Sequence, residues 1–181
     1  GKEYSFQIPY YDHAAVENAM HCCAAVFALG IETSVFQRMA DLPPLQMRLE
    51  MKEGQNGCSL INDSYNADLN GLMSALEFMG LQQDGRTKTV ILSDISGIVT
   101  SNDEVYKQVL LHLQLIGVKK LFAVGRVFMA NATIFQQSDI DARFFADTEE
   151  LLKSLISSSL KNELILIKGV RNFQFEQVSR L

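Results

Sequence analysis

The sequence predicts an α/β fold, a Rossmann-like and mostly parallel sheet with helices on both faces and an antiparallel hairpin at one edge. Three observations predict it. In the later part of the chain, short apolar runs alternate with helical patterns of about ten residues or more, which is typical of right-handed βαβ crossovers. The run "TVILSD" is apolar almost throughout, as expected of a strand covered on both faces. Asn56-Gly57 lies between two strand-like runs and is a strong hairpin signal.

Little sheet structure is predicted for the first 42 residues. Residues 1–10 are expected to form a strand or an extended arm. A helix is predicted from about Ala14 to Leu29, ended by Gly30, and its almost uniformly apolar pattern predicts that it is buried. A second, short helix is predicted from about Thr33 to Met39.

Pro43-Pro44 interrupts the chain and predicts a domain boundary. Residues 1–42 are then the tail of a preceding domain, and residues 43–181 are a domain of their own. Because the chain begins with Gly1 and its first segment has no evident partner, we expect it to be cut from a longer protein.

After the boundary, "QMRLEMK" and "GCSLIN" are predicted to pair as the hairpin strands. The remaining predicted elements, in chain order, are a helix beginning near Leu69, the strand "TVILSD", a helix marked by Val105 to Ile116 and closed by Gly117, the strand "KLFAVG", a weak helix or loop at 126–137, the strand "ARFFA", the helix "TEELLKSLISS", the strand "LILIKG" and a last helix, "FQFEQVSRL".

Composition limits the partners. Of the 181 residues, 48% are hydrophobic and 20% are charged, which is typical of a soluble globular protein. The net charge of −5 argues against a nucleic-acid or membrane-surface partner. No apolar run approaches the ~20 residues of a membrane span, and the chain does not start like a signal peptide. A cytoplasmic protein is therefore expected.

Cysteine and histidine residues show no spacing of a metal site or a catalytic triad. Cys22 and Cys23 lie in an apolar helical pattern and are predicted to be buried free thiols. With Cys58 they form an odd set, for which a reducing compartment is expected. His21 and His112 lie in apolar helical patterns and are predicted to be structural. We predict no metal-binding residue and no catalytic residue in this chain.

The segment 60–67, "LINDSYNA", is the most informative stretch for function. Two apolar residues end a strand, polar residues follow, and a helix then begins, which is where open α/β sheets bind ligands. Asp63, Tyr65 and Asn66 offer a carboxylate for ribose hydroxyls, a ring for a base and an amide for a base edge. The alternative is an ordinary N-cap turn in which Asp63 or Ser64 satisfies free N–H groups.

Further candidates lie at other predicted strands. Arg48 lies within a strand-like run and is suited to phosphate, or else simply points to solvent. Asp94 ends a strand and could contact a polar ligand or cap the following turn. After the last strand, Gly169 allows a close backbone approach to a ligand, and Lys168 and Arg171 offer positive charge for a carboxylate. Basic residues at a strand end are otherwise commonplace.

Four strings resemble, in the same order, motifs of the C-terminal domain of Mur ligases, most closely the D-alanyl-D-alanine-adding type. "LINDSYNAD" is similar to the family's Asp-(Ser or Cys)-Tyr-Asn-Ala-Asn. "MRLE" is similar to Gly-Arg-(apolar)-Glu, "TVILSDI" to a strand ending in Gly-Asp-Met, and "LIKGVR" to Lys-Gly-Ser-Arg.

The chain also departs from these motifs. The departures are Met47 for Gly, Asp68-Leu69 for Asn-Pro or Asn-Val, Ser96-Gly97 where Glu-Leu-Gly is usual, Tyr106 near a usual His, and Val170 for Ser. With the ending "NFQFEQVSRL", this combination resembles the branch in which the ligase is fused to an alanine racemase.

The resemblance implies an ATP-dependent ligase that joins D-Ala-D-Ala to the tripeptide carboxylate of a UDP-MurNAc precursor through an acyl phosphate. ATP and Mg²⁺ would be bound mainly by a central ATPase domain, of which residues 1–42 would be the tail. The chain lacks a Gly-x-x-x-x-Gly-Lys-(Ser or Thr) loop, so it is not expected to hold ATP phosphates alone.

The resemblance also divides the candidate residues between two ligands. The nucleotide side comprises Asn18, Arg48, Asp63, Tyr65 and Asn66. The substrate side comprises Asp94, Lys168, Gly169 and Arg171. Asn18 matches an Asn that approaches adenine in the family, and could equally be a helix-surface amide.

Two rival interpretations stay open. A sister Mur ligase or a folylpolyglutamate synthetase has a related domain, although Tyr65-Asn66-Ala67 stands where those proteins usually carry a His-containing string. A flavodoxin-like ligand-binding module is the other, although Asn62-Asp63 is a poor match to its acidic pair.

Overall fold

A computed structural model describes residues 3–9, 13–43, 47–82, 85–98, 101–158 and 160–180. The chain divides into two compact units, residues 1–46 and residues 47–181. The division falls slightly after the predicted boundary between residues 42 and 43.

The N-terminal unit is helical and small. It contains α1 (His13–Ala28) and a 3-10 helix (Thr33–Asp41). Phe36 is its one buried hydrophobic residue among those described, with rings of Tyr4, Phe6 and Phe27 around it at centroid distances of 5.5–6.2 Å. Residues 3–8 are not in a strand, so only the extended-arm half of the prediction fits them.

The predicted burial of α1 is not seen. Met20 is 64% exposed and Phe27 is 51% exposed. The prediction that Cys22 and Cys23 are buried is also wrong, because Cys22 is exposed and Cys23 is only partly buried. The apolar composition of α1 extends around the helix, whereas the short arm and the 3-10 helix of the same unit are too small to cover it. None of the helices described is long and apolar enough to cross a membrane.

The C-terminal unit alternates strands and helices. Its elements are β1 (Glu50–Glu53), β2 (Ser59–Asp63), α2 (Leu69–Leu81), β3 (Thr87–Ser93), α3 (Asn102–Leu115), β4 (Val118–Val124), α4 (Arg126–Ala130), α5 (Ala132–Gln136), β5 (Asp141–Phe145), α6 (Thr148–Ser157) and β6 (Glu163–Lys168).

The six strands form one sheet in the order β1-β2-β6-β3-β4-β5. Only β1 runs antiparallel, pairing with β2, and all the other neighbours are parallel. Asn56 and Gly57 in the β1–β2 connection adopt φ angles of 54° and 77°, the positive values that this residue pair tolerates well. The predicted mostly parallel sheet with an antiparallel hairpin at one edge is confirmed.

Helices cover both faces of the sheet, as predicted. On one face, α2, α3, α4 and α5 bury a large apolar cluster whose bulkiest members are Leu72, Leu76, Met79, Tyr106, Phe128 and Phe135. On the other face, α6 and the segment after β6 bury a second cluster that includes Leu151, Leu155, Phe175 and Val178. All six residues of β6 are buried, because this strand lies inside the sheet, between the two apolar clusters.

Two predicted elements differ from the structure. Arg48 precedes β1 instead of lying within a strand. The predicted last helix is replaced by two short 3-10 turns, Arg171–Phe173 and Val178–Arg180. The apolar residues of this segment, Phe175 and Val178, are buried as a helix would bury them. However, Gln174 adopts a left-handed conformation with φ of 51°, which interrupts the helix and lets Phe175 pack inward.

The close approach of Gly125 to Asp94 yields a stability prediction. Gly125 has φ of 127°, and a Cβ there would lie 2.3 Å from the Asp94 carboxyl carbon. Gly125→Ala is therefore expected to lower the free energy of unfolding by about 2–5 kcal/mol, through backbone strain and overpacking together. Urea unfolding followed by circular dichroism measures this loss.

Gly57→Ala is the matched control, because Gly57 also has a positive φ, of 77°, but no atom lies within 4 Å of its Cβ position. Its loss is expected to be only about 1–2 kcal/mol, from the left-handed conformation alone. Equal losses for the two variants would show that the packing of Gly125 against Asp94 adds nothing.

Candidate functional site

Three strand ends meet at the carboxyl edge of the sheet. β6 lies between β2 and β3, and these strands end at Lys168, Asp63 and Ser93. The chain leaves β2 and β3 toward the helices of one face, and it leaves β6 toward the apolar cluster of the other face. Open α/β sheets bind ligands beyond the strand ends at such a divergence, and the place where β2, β6 and β3 end is called the crevice below.

A buried ion pair lies at the floor of this crevice. Lys168 Nζ donates to Asp63 Oδ2 at 2.6 Å, and the two residues are also direct partners in the parallel pairing of β2 and β6. Asp63 Oδ1 accepts a longer bond from the backbone N–H of Leu49 at 3.4 Å. Burial raises the pKa of Asp63 above its ordinary value, while the Lys168 ammonium, the Leu49 N–H and the Arg48 guanidinium oppose that rise.

Tyr65 and Arg48 form an exposed pair next to the crevice. The guanidinium carbon of Arg48 lies 5.0 Å from the centroid of the Tyr65 ring, within the range of a cation–π contact. Tyr65 is 46% exposed. Arg48 is flanked by Met47 and Leu49, whose φ angles of 61° and 47° are uncommon for residues other than glycine. Such strain is often found at binding sites.

The side-chain amide of Asn66 makes its hydrogen bonds within the chain. Its Oδ1 accepts from the Ala67 backbone N–H at 2.8 Å and from Ser96 Oγ at 3.3 Å, and its Nδ2 donates to Asp68 Oδ2 at 2.8 Å. Asp68 in turn caps α2 by accepting from the Gly71 N–H at 2.8 Å. The N-cap of this helix is thus Asp68, and neither Asp63 nor Ser64 serves as the cap.

Asp94 is engaged with the start of α4. Its Oδ1 accepts from the Phe128 N–H at 2.8 Å and its Oδ2 from the Val127 N–H at 3.1 Å. The geometry therefore fits the capping alternative, although the turn that Asp94 caps follows β4 and not its own strand.

β6 ends in a buried cation, and the loop after it carries an exposed cation. Arg171 is exposed at the start of its 3-10 turn, whereas Lys168 is buried. Gly169 is needed for packing, because a Cβ there would lie 2.5 Å from the Phe175 ring. The Val170 N–H donates to Ser93 Oγ at 3.0 Å, which fastens this loop to the end of β3.

Curated relatives agree with the resemblance found in the sequence. The chain is 24% identical over 181 residues to the UDP-N-acetylmuramoyl-tripeptide–D-alanyl-D-alanine ligase of Bacillus subtilis, which covers 98% of this chain and 40% of that protein. It is 24% identical over 184 residues to the ligase of the same name from Buchnera aphidicola, covering 96% of this chain and 38% of that protein. No protein-family model matches the chain.

Solved structures share the fold. MurF from Acinetobacter baumannii superposes with a TM-score of 0.77 at 20% identity, over 95% of this chain and 38% of that one. MurF from Thermotoga maritima in complex with ADP gives 0.66 at 17% identity, over 94% of this chain and 38% of that one. The resemblance to the Mur ligases is confirmed. The chain spans about two fifths of the length of the curated relatives named above.

The fold is shared more widely than the D-alanyl-D-alanine-adding type of Mur ligase. Folylpolyglutamate synthase from Thermotoga maritima superposes with a TM-score of 0.59 at 12% identity, over 96% of this chain and 40% of that one. The curated relatives named above, and not the fold, therefore point to this type of Mur ligase.

The crevice brings together residues from both predicted sides of the Mur-type site. Asp63 from the nucleotide side and Lys168 from the substrate side contact each other directly, which the sequence analysis did not predict. Ser93, whose hydroxyl accepts the Val170 N–H, is not among the residues predicted from the sequence. A hydroxyl at the end of an apolar strand was a usable signal for it. Asn18 is an exposed residue of α1 in the N-terminal unit, and its adenine contact stays a prediction.

The arrangement is suited to binding more than to covalent chemistry. It presents an aromatic ring and two exposed guanidinium groups, and no cluster of three or more His, Cys, Asp or Glu side chains in the described part of the chain could hold a metal ion. The carboxylates of Asp63, Asp68 and Asp94 at this edge are already hydrogen-bonded within the chain. The described residues of this edge therefore do not fit a Mg²⁺ site of their own.

Proposed function

We propose that this chain is the C-terminal part of an ATP-dependent ligase that adds D-Ala-D-Ala to a UDP-MurNAc-tripeptide in peptidoglycan precursor synthesis. The observation that carries the proposal is the exposed Arg48–Tyr65 pair beside the "DSYNA" loop, at the sheet edge where ligands bind. The similarity to two curated ligases of this name supports it.

In the proposed reaction, the tripeptide carboxylate attacks the γ-phosphorus of ATP and ADP leaves. The amine of D-Ala-D-Ala then attacks the resulting acyl phosphate, and phosphate leaves as the amide bond forms. ATP and Mg²⁺ are assigned mainly to a central ATPase domain, of which residues 1–42 are the tail, and the reaction is assigned to the cytoplasm. The fused alanine racemase stays a prediction, which the names of the relatives do not support.

This chain contributes binding surfaces that complete the site when the domains close. Tyr65 offers a face to adenine, and Arg48 offers a guanidinium to phosphate. Arg171, on the loop after β6, offers positive charge to the carboxylate of the dipeptide. Closure of such a domain excludes water, which protects an acyl phosphate from hydrolysis.

A sister ligase is the second candidate, because the chain also has the fold of a UDP-N-acetylmuramate-alanine ligase, with a TM-score of 0.66 at 18% identity. Tyr65-Asn66-Ala67 favours the D-alanyl-D-alanine-adding type over those relatives.

Substrate-dependent phosphate release tests the proposal directly. The complete protein is expected to release phosphate only when ATP, UDP-MurNAc-tripeptide and D-Ala-D-Ala are all present. The 181-residue chain alone is expected to release none above background, because it lacks a phosphate loop. Turnover by this chain alone, or a complete protein that prefers L-alanine or glutamate as the amine, would overturn the proposal.

Arg48→Ala in the complete protein is expected to lower turnover about ten- to a hundredfold, because a charge-assisted contact to phosphate is worth about 1.5–3 kcal/mol. Steady-state kinetics measure the loss, and circular dichroism shows whether the fold is retained. Lys52→Ala is the control, because Lys52 is another exposed cation nearby, paired with Glu50 on β1. Near wild-type kinetics for Arg48→Ala would make Arg48 an ordinary surface residue.

Arg171→Ala is expected to raise the KM for D-Ala-D-Ala more than the KM for ATP, because Arg171 is the exposed cation of the loop after β6. Kinetics with each substrate varied in turn measure the two constants. Arg143→Ala, which removes an exposed arginine of β5 that pairs with Asp141, should change neither constant. A selective effect of Arg171→Ala on ATP would mean that the loop binds a different ligand.

A further inference from the structure

We propose that the Asp63–Lys168 ion pair is a positioning device that couples the loop after β6 to the nucleotide loop after β2, and that neither side chain is a ligand contact. This inference rests on the proposed function for its kinetic consequences. It departs from the predicted roles of the two residues, which assigned Asp63 to the nucleotide and Lys168 to the dipeptide.

Lys168 is not accessible to a substrate carboxylate. Its side chain is 4% exposed, and its Nζ lies 2.6 Å from Asp63 Oδ2. The first turn of α2 covers it, because a Cβ added to Gly71 would lie only 3.4 Å from this Nζ. A dipeptide that reached the ammonium would have to displace both the helix turn and the buried carboxylate.

Asp63 joins three segments through one carboxylate. It ends β2, it holds the end of β6 through Lys168, and it accepts the Leu49 N–H from the segment before β1. Leu49 has φ of 47°, a conformation that a leucine keeps only where the surroundings hold it. The Asp63 carboxylate is one of the groups that hold it.

The ligand-facing residues are the immediate neighbours of these fixed points. Arg48 precedes Leu49 in the chain, and Tyr65 follows Asp63 by two residues. The Arg48–Tyr65 contact at 5.0 Å therefore depends on the relative position of two segments that Asp63 connects. On the other side, Lys168 precedes Gly169 and the loop that carries Arg171.

The coupling predicts that replacing Lys168, a residue assigned to the dipeptide side, changes the KM for ATP. In the complete protein, Lys168→Met is expected to raise the KM values for both ATP and D-Ala-D-Ala by about ten- to a hundredfold, the scale of a misplaced site. Lys168→Arg keeps the charge, so both of its KM values are expected to lie much closer to those of the wild type than the values of Lys168→Met do. A purely structural role would lower kcat through loss of folded enzyme and leave both KM values unchanged.

Lys120→Met is the matched control, because Lys120 lies on β4 and its partner begins β6, at the opposite end of that strand from Lys168. Lys120 Nζ pairs with buried Glu163 at 2.5 Å, at the amino edge of the sheet and far from the crevice. Its replacement also breaks an ion pair to a buried carboxylate, so it is expected to lower the melting temperature without changing either KM.

Hydrogen exchange in the 181-residue chain tests the device without any assay of activity. Lys168→Met is expected to accelerate exchange of the backbone amides at 47–49 and 64–67, and Lys120→Met is not. If Lys168→Met does not fold, the double variant Asp63→Asn/Lys168→Met removes both charges and takes its place.

The outcomes separate this inference from the proposed function. A wild-type complete protein without ligase activity would overturn the function, while hydrogen exchange would still test the positioning role. A change confined to the KM for D-Ala-D-Ala would make Lys168 a dipeptide ligand and overturn the inference. Unchanged exchange at both segments would overturn it as well.

Discussion

The carboxyl edge of this sheet depends on one buried ion pair, Lys168 with Asp63. Removing two charges from water is costly, and their attraction offsets that cost only where the geometry is good and further hydrogen bonds are made. Here the bond is 2.6 Å long, and the second carboxylate oxygen accepts the Leu49 N–H. The pair therefore does more to specify which strands lie together than to add net stability, because an arrangement that separated them would leave a buried charge alone.

The same device occurs at the other end of β6. Glu163 begins the strand, pairs with Lys120 at 2.5 Å and accepts a hydrogen bond from Thr89. Between the two charged ends lie four buried apolar residues, 164–167. A shift of β6 along its neighbours would bring Glu163 or Lys168 against apolar side chains, at a cost of several kcal/mol per unpaired ion. The charges at both ends therefore fix the register of a strand whose interior would tolerate several registers.

The sequence predicted the elements better than their arrangement. The hairpin at Asn56-Gly57 and the alternation of strands and helices follow from local signals, and both are confirmed. The insertion of β6 between β2 and β3 has no local signal, because it is decided by side chains that are distant in sequence. The partnership of Asp63 and Lys168, 105 residues apart, follows from that insertion, so sequence reasoning assigned the two residues to separate ligands. The last helix was predicted from apolar spacing alone, which does not show that Gln174 takes a left-handed conformation or that Gly169 makes room for Phe175.

The buried pair also determines which side chains stay available to a ligand. Asp63, Lys168 and Asp94 are satisfied within the chain, whereas Tyr65, Arg48 and Arg171 stay exposed at this edge. In this structure Arg48 rests on the Tyr65 ring. An exposed cation–π contact is worth about 0.5–1 kcal/mol, whereas a hydrogen bond to a charged group contributes about 1.5–3 kcal/mol. Under the proposed function, a phosphate within reach would therefore take the guanidinium from the ring, and the ring face would become free for a base. The resting contact keeps both groups in place and costs little to break.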